Sequence, residues 1–222
     1  MENNKSKLTK LQITALHELA KSDLRNDFYW TGGTALAYFY LEHRSSYDID
    51  LFSDRPIEYT KLKELINKIS KTVNLKKIEE KKIFDRWEFI ISNGQETRID
   101  FVFYNHRKIK PRKKWQGIQV DSFDDLIANK TMALIDRNDP KDAFDIYYIL
   151  KKYSLTDKKL LALVKKKFES EFTTSLFWSR CLLGAINFNN LKPFITGNSS
   201  TILKEITDYF EKKSADSIKN LL

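Results

Sequence analysis

The feature that most constrains this chain is the point at which its strand patterns stop. Strand patterns occur at Phe28–Thr31, Asp48–Ser53, Leu75–Lys82, Arg86–Ser92, Thr97–Tyr104 and Ile118–Val120, and the signal disappears beyond Ser122. Asn93-Gly94 between two of these runs is a favoured hairpin turn, so 75–104 reads as an antiparallel meander. Helical patterns interleave with the strands. Leu11, Ile13, Leu16 and Leu19 predict a helix over Leu8–Leu24, and Leu62, Leu65, Ile66 and Ile69 predict one over Ile57–Val73. A shorter helix is predicted at Ala35–Leu41, opened by the turn Gly32-Gly33-Thr34. Past Ser122 only helical patterns remain, at about 123–137, 141–152, 157–168, 171–187 and 200–221. The expected fold class is α+β, with a mixed β-sheet and helices in a lobe over 1–121 and an all-helical lobe over 122–222. No Pro-, Gly- or Ser-rich linker separates them, which predicts packed lobes rather than independent beads.

Composition removes several classes. The 222 residues carry 39 Lys and Arg against 30 Asp and Glu, a net charge of +9, together with 15 Phe and 10 Tyr. That aromatic content excludes a disordered chain, and 6 Gly with 4 Pro exclude collagen-like or linker-rich sequences. The single cysteine, Cys181, excludes an intramolecular disulfide framework and a Cys-based zinc cluster; amid Trp178, Leu182 and Leu183 it reads as a buried helix residue. The polar start MENNKSKLTK predicts no secretory leader. Apolar runs such as Ala35–Leu41 and Phe144–Leu150 fall far short of the roughly 20 residues that a membrane span needs. The expectation is a soluble, cytoplasmic protein without a membrane partner. The charge excess points to a polyanionic partner without selecting one.

Three motifs in the first half carry chemistry. Gly32-Gly33-Thr34 opens a helix, and backbone N–H groups at such a start, uncrowded by side chains, attract anions; the Thr34 hydroxyl adds a donor. The alternative is a purely structural tight turn. No Gly-Lys-Ser/Thr or GxGxxG pattern accompanies it. In Asp48-Ile49-Asp50, alternate strand residues share a face, so Asp48 and Asp50 point one way while Ile49 and Leu51 point into the core. Two carboxylates on one face repel unless a cation lies between them, and hard oxygen ligands suit Mg²⁺ or Mn²⁺. The alternative is a solvated strand edge. In Arg98-Ile99-Asp100-Phe101-Val102-Phe103, Asp100 is the only acid in an apolar strand. If that strand neighbours Asp48–Ser53, Asp100 completes a three-carboxylate metal set of the kind used in two-metal nucleotidyl transfer, with Asp100 also a candidate base. The alternative for Asp100 is a salt bridge to a Lys or Arg on a neighbouring strand.

These residues together carry a resemblance. Thr31-Gly32-Gly33-Thr34-Ala35-Leu36 and His43-Arg44-Ser45-Ser46-Tyr47-Asp48-Ile49-Asp50-Leu51-Phe52 are followed by Leu126-Ile127-Ala128-Asn129-Lys130-Thr131-Met132-Ala133-Leu134, Arg137, and Pro140-Lys141-Asp142-Ala143-Phe144-Asp145-Ile146-Tyr147. This series, over about residues 28–150, resembles the AbiEii/AbiGii-type toxin family within the DNA polymerase beta-like nucleotidyltransferase superfamily. The resemblance implies a nucleotidyltransferase-like first lobe and Mg²⁺- or Mn²⁺-dependent transfer of NMP from an NTP to a hydroxyl. It also implies a toxin–antitoxin or phage-defence role, with a tRNA 3′ end as acceptor and a cognate antitoxin protein as partner. It adds Arg44 and Ser46 to Gly33 and Thr34 as candidate nucleotide contacts, with bracing of the acidic strand the alternative for Arg44. His43 is expected to pack structurally.

Lys130 sits four residues from both Leu126 and Leu134, inside an apolar helical stripe, so its ammonium must find a partner or water. The resemblance gives it a catalytic role on the triphosphate, with Asp142 and Asp145 orienting it or contacting the nucleotide. The alternative is an interhelical ion-pair network without a ligand. The run Arg107, Lys108, Lys110, Arg112, Lys113 and Lys114 lies directly after the Asp100 strand and is the candidate RNA backbone contact; a solvated loop is the alternative. Two further functions stay open on sequence alone: transfer to a protein or small-molecule hydroxyl, and a non-catalytic RNA- or antitoxin-binding module on the same scaffold.

Overall fold

The structure is a computed structural model that describes residues 8–195 and 197–219. Residues 1–7 and the expected end of the last helix at 220–221 lie outside them. The described residues form two compact units. One comprises 8–42 and 46–122, and the other comprises 43–45 and 123–219 without residue 196.

The first unit is a sheet with helices. Its elements run α1 (Lys10–Lys21), β1 (Tyr29–Thr31), α2 (Gly32–Leu36), β2 (Ile49–Ser53), α3 (Tyr59–Val73), β3 (Lys77–Ile83), β4 (Arg86–Ser92), β5 (Glu96–Phe103), β6 (Lys113–Trp115) and β7 (Ile118–Val120). The seven strands lie in the order β3-β4-β5-β2-β1-β7-β6. Pairing is antiparallel except at β1–β7 and β2–β5, so the sheet is mixed. The parallel β2–β5 pair joins the two strands that carry the aspartates. It sets Ile49 opposite Ile99, Asp50 opposite Asp100 and Leu51 opposite Phe101. Alternation then does the sorting. Ile49, Leu51, Phe89, Ile91, Ile99 and Phe101 are all buried on one face, and Phe101 meets Phe28 and Phe89 edge to face. Leu62, Leu65, Ile66 and Ile69 of α3 and Leu11, Leu16 and Leu19 of α1 are buried as well, at the helical spacing that the sequence displays. Each such side chain contributes about 1.5–3 kcal/mol of transfer free energy when fully buried. The opposite face of the same strands carries Asp50, Glu88, Arg98 and Asp100.

Helix α1 begins with a capping box: the Thr9 hydroxyl accepts from the Gln12 backbone N–H and the Gln12 side chain accepts from that of Thr9. Helix α2 starts at Gly32, earlier than the sequence suggests, and Ala37–Leu41 continues as a π-helical turn closed by Glu42 at φ 55°. The Glu42 N–H donates to the Ala37 carbonyl, the wider repeat that a π-turn requires.

The second unit is helical: α4 (Phe123–Asp136), α5 (Pro140–Lys152), α6 (Asp157–Phe168), α7 (Thr174–Ala185), a 3₁₀ segment (Phe188–Phe194) and α8 (Ser199–Lys219). Asp139, Thr156 and Thr173 cap α5, α6 and α7 through side-chain acceptors. Leu126, Phe144, Ile149, Val164, Phe177, Cys181, Ile206 and Phe210 fill the interior. Close packing of α5 on α7 is set by Gly184, where a Cβ would stand 2.7 Å from that of Ala143. No helix among the described residues is long and apolar enough to cross a membrane.

Candidate active site

The first unit assembles an acidic face at the C-terminal end of β1 and across β2 and β5. Asp50 and Asp100 stand side by side in register, with Thr31 of β1 opposite Asp50 and Glu88 of β4 opposite Asp100. Asp48 immediately precedes β2. Gly32 lies beneath: at φ +77°, it occupies a left-handed conformation, and a Cβ there would come within 1.8 Å of the Asp50 Oδ2. The glycine turn therefore has a second cause beyond backbone freedom, since only a residue without a side chain leaves room for the Asp50 carboxylate.

Two arginines share this face. Arg98 Nη2 donates to Asp48 Oδ2 at 2.7 Å, and its Nε lies 3.4 Å from Asp100 Oδ2. Arg86 Nη1 is 3.6 Å from the same Asp100 oxygen. Neither arginine satisfies Asp100 fully: its Oδ1 is buried without a hydrogen-bond partner, and so is Arg98 Nε. Burial first, and then the neighbouring Asp50 charge, push the Asp100 carboxyl up to about 7 against the pull of Arg98 and Arg86.

The expected convergence of Asp48, Asp50 and Asp100 is therefore corrected in one respect. They share a face, but the Arg98 guanidinium bridges from Asp48 to Asp100. Among the described residues, no three His, Cys, Asp or Glu side chains stand close enough together to hold a metal ion. The donor set still has the chemistry of a hard-cation site, with three carboxylates, one of them carrying a buried oxygen that nothing satisfies. Arg98 went unassigned in the sequence, although it stands two residues before Asp100 and so shares its face by the same period that pairs Asp48 with Asp50.

The turn residues have local partners. The buried Thr34 hydroxyl donates to the Asp48 carbonyl and lies 2.7 Å from the Ser46 hydroxyl, whose carbonyl accepts from the Gln12 amide at 3.2 Å. Thr34 and Ser46 thus hold the entry to β2 in place.

The basic run divides. Arg107, Lys108, Lys110, Lys113 and Lys114 have exposed side chains. Arg112 does not belong with them. Its guanidinium is bidentate to Asp54 at 2.7 and 2.8 Å, lies 3.4 Å over the Tyr29 ring and stands 3.6 Å from the buried Asp121, leaving its side chain 10% exposed. These contacts give Arg112 a structural role. Asp121 itself accepts from the Thr31 hydroxyl at 2.8 Å.

The second unit gathers its own charged cluster. Lys130 Nζ lies 2.7 Å from Asp142 Oδ1 and 3.0 Å from Asp145 Oδ2. Asp145 also takes a bidentate pair from Arg44, at 2.7 and 2.9 Å, and a 2.6 Å contact from His43 Nε2. Asp142 receives Arg137 Nε at 2.7 Å. Both carboxylates are fully buried. Burial pushes the Asp145 carboxyl up, but the Arg44 and Lys130 charges outweigh it and hold the group well below the usual carboxylate range. Burial keeps His43 below its ordinary value against the pull of Asp145, and its ring stacks on Phe144. Lys130, Asp142 and Asp145 thus form an interhelical ion-pair network, the alternative to a triphosphate contact, and Arg44 and His43 are part of it. Arg44, Asp142 and Asp145 are buried in that network. The Lys130 ammonium has the two carboxylates as its partners.

A mixed sheet that sets two carboxylates side by side over a glycine turn, with a third at the strand entry, defines a nucleotidyltransferase-type lobe. The chain belongs to the family of AbiEii nucleotidyltransferase toxins of type IV toxin–antitoxin systems, whose profile matches residues 14–217. It is a nucleotidyltransferase by that membership. An uncharacterized protein of Aquifex aeolicus (strain VF5) is 27% identical over 220 residues, covering 96% of this chain and 99% of the relative. The fold recurs in JHP933 from Helicobacter pylori, with a TM-score of 0.61 at 17% identity over 96% of each chain. It recurs also in MenT4, a nucleotidyltransferase toxin from Mycobacterium tuberculosis H37Rv, with a TM-score of 0.52 at 12% identity over 93% of this chain and 81% of that one.

Proposed function

We propose that this protein transfers a nucleoside monophosphate from an NTP to a hydroxyl of RNA, with a tRNA 3′ end as acceptor and Mg²⁺ or Mn²⁺ required. In this reading it is the toxin partner of a cognate antitoxin. The observation that carries the reading is the parallel register that sets Asp50 beside Asp100, with Asp48 at the strand entry, in a chain of a nucleotidyltransferase family. A divalent cation held by Asp48, Asp50 and Asp100 would neutralise charge on the phosphate oxygens and make the acceptor hydroxyl easier to deprotonate.

Asp100 is the candidate base for the acceptor hydroxyl's proton. The acceptor oxygen bonds to the α-phosphorus, the bond to the pyrophosphate oxygen breaks, and the hydroxyl proton passes to Asp100. Gly32 keeps the space around Asp50 clear, and Thr34 fixes the backbone from which Asp48 projects. The exposed Arg107, Lys108, Lys110, Lys113 and Lys114 supply a sequence-independent hold on an RNA backbone.

The test is label transfer. With Mg²⁺, total RNA and each α-labelled NTP in turn, label is expected in a tRNA-sized band, and Asp48→Ala is expected to abolish it while circular dichroism stays native. Label on protein instead would overturn the RNA acceptor. Absence of transfer from every NTP would overturn the catalytic reading, and persistent transfer by Asp48→Ala would overturn the assigned site.

A further inference from the structure

Arg44, Arg112 and Arg98 each face carboxylates, in pairings of very different quality. Arg44 on Asp145 is bidentate with both side chains sealed, at 2% and 0% exposure. Arg112 on Asp54 is bidentate and stacked on a ring. Arg98 is unlike either. It makes one good bond, to Asp48, and a poor approach to Asp100 that leaves Arg98 Nε and Asp100 Oδ1 both buried and unsatisfied. Its side chain is 39% exposed, so the guanidinium has a route to solvent that Arg44 lacks. A partly exposed, monodentate pair of this kind is weak and readily exchanged. Removing it would leave Asp48, Asp50 and Asp100 as like charges on one face with nothing between Asp48 and Asp100.

We propose that Arg98 is the resident counter-ion of the acidic face and that a divalent cation binds there only by displacing it. This rests on the metal-dependent reading of the same site. A guanidinium and a hard dication compete for the same carboxylate oxygens, and the loser must find another anion. Outside the triad, the anion that arrives with the cation is the triphosphate, which offers a planar fork the bidentate partner that Asp48 and Asp100 do not. Arg98 thus acts as a positioning residue. It holds the carboxylates apart, weakens the binding of a bare cation and favours one that comes with a nucleotide.

The probe is Mn²⁺ alone, titrated by electron paramagnetic resonance or calorimetry against the full chain without nucleotide. Arg98→Met and Arg98→Gln are each expected to bind Mn²⁺ at least 10-fold more tightly than the unsubstituted protein, and Arg98→Lys to stay near it. Two neutral variants of different shape keep the test standing if one fails to fold. Equal or weaker Mn²⁺ binding by the neutral variants, with binding still lost in Asp48→Asn, would overturn the counter-ion role and leave the metal site intact. No Mn²⁺ binding by any variant would overturn both.

Discussion

Asp100 imposes a cost on the fold that varies with pH. Its carboxyl is raised to about 7 from an ordinary 3.8, so the folded state binds a proton that the unfolded chain releases. Stability from this group is fully present below about pH 4 and is lost as the pH rises through 7. Asp100→Asn cannot ionise and escapes that loss. In metal-free buffer its melting temperature should exceed that of the unsubstituted protein by several degrees at pH 8 and by no more than about one degree at pH 4. A constant offset across that range would mean that packing, rather than ionisation, governs the position. Reading residues one at a time from sequence works for Asp48, Asp50 and Asp100, because strand alternation places each on a face. It works poorly for their partners. Nothing in the string ties Arg112 to Asp54, or Arg44 to Asp145 a hundred positions away; those pairings exist only once the strands and helices have been assembled.

Elements were legible in proportion to their periodicity. The stripe Leu62, Leu65, Ile66, Ile69 marks α3 cleanly, and the alternation in 97–103 marks β5. The short β6, Lys113–Trp115, carries two lysines and a tryptophan, reads as part of a basic loop, and becomes a strand only through its pairing with β7. The 3₁₀ segment Phe188–Phe194 contains Pro193 and has no helical repeat to detect. Strand order is likewise silent in sequence, yet the parallel β2–β5 neighbour relation decides whether Asp100 belongs to the site at all. Contact between helices is equally hidden. The approach of α7 to α5 depends on Gly184, and Gly184→Ala places a Cβ at 2.7 Å from a backbone-anchored Ala143 Cβ that cannot swing aside. It should cost about 1–3 kcal/mol, read as a lower urea midpoint at unchanged slope. A gain in stability, as helix propensity alone would predict, would show that the helices part freely.

At the scale of the whole molecule, the excess of positive charge divides into distinct uses. Lys130, Arg44 and Lys167 are engaged inside the helical unit with buried acids, the last with Asp125 at 2.8 Å. Arg112 and Arg98 are bound up in the sheet unit. The run around Arg107–Lys114 is one of several exposed basic stretches; Lys151, Lys152, Lys158, Lys159, Lys165 and Lys166 are exposed on the helical unit too.

The short tripeptide 43–45 has a practical outcome for anyone dividing the gene. By sequence the natural cut falls near residue 122, yet His43, Arg44 and Ser45 belong with the helices beyond that cut. Ser45 N–H donates to the Phe194 carbonyl, and Arg44 neutralises Asp145. A fragment starting at 123 would keep Lys130 at 3.0 Å from Asp145 but lose the bidentate arginine, and breaking such a buried pair costs about 3–5 kcal/mol. Expressed alone, that fragment should be molten or insoluble by near-ultraviolet circular dichroism. A peptide spanning residues 40–48, supplied in trans, should restore its near-ultraviolet signal, and failure to do so would show that Asp145 finds its charge balance elsewhere. Split-gene reporters and two-plasmid complementation of this toxin would therefore have to carry the tripeptide on the second half.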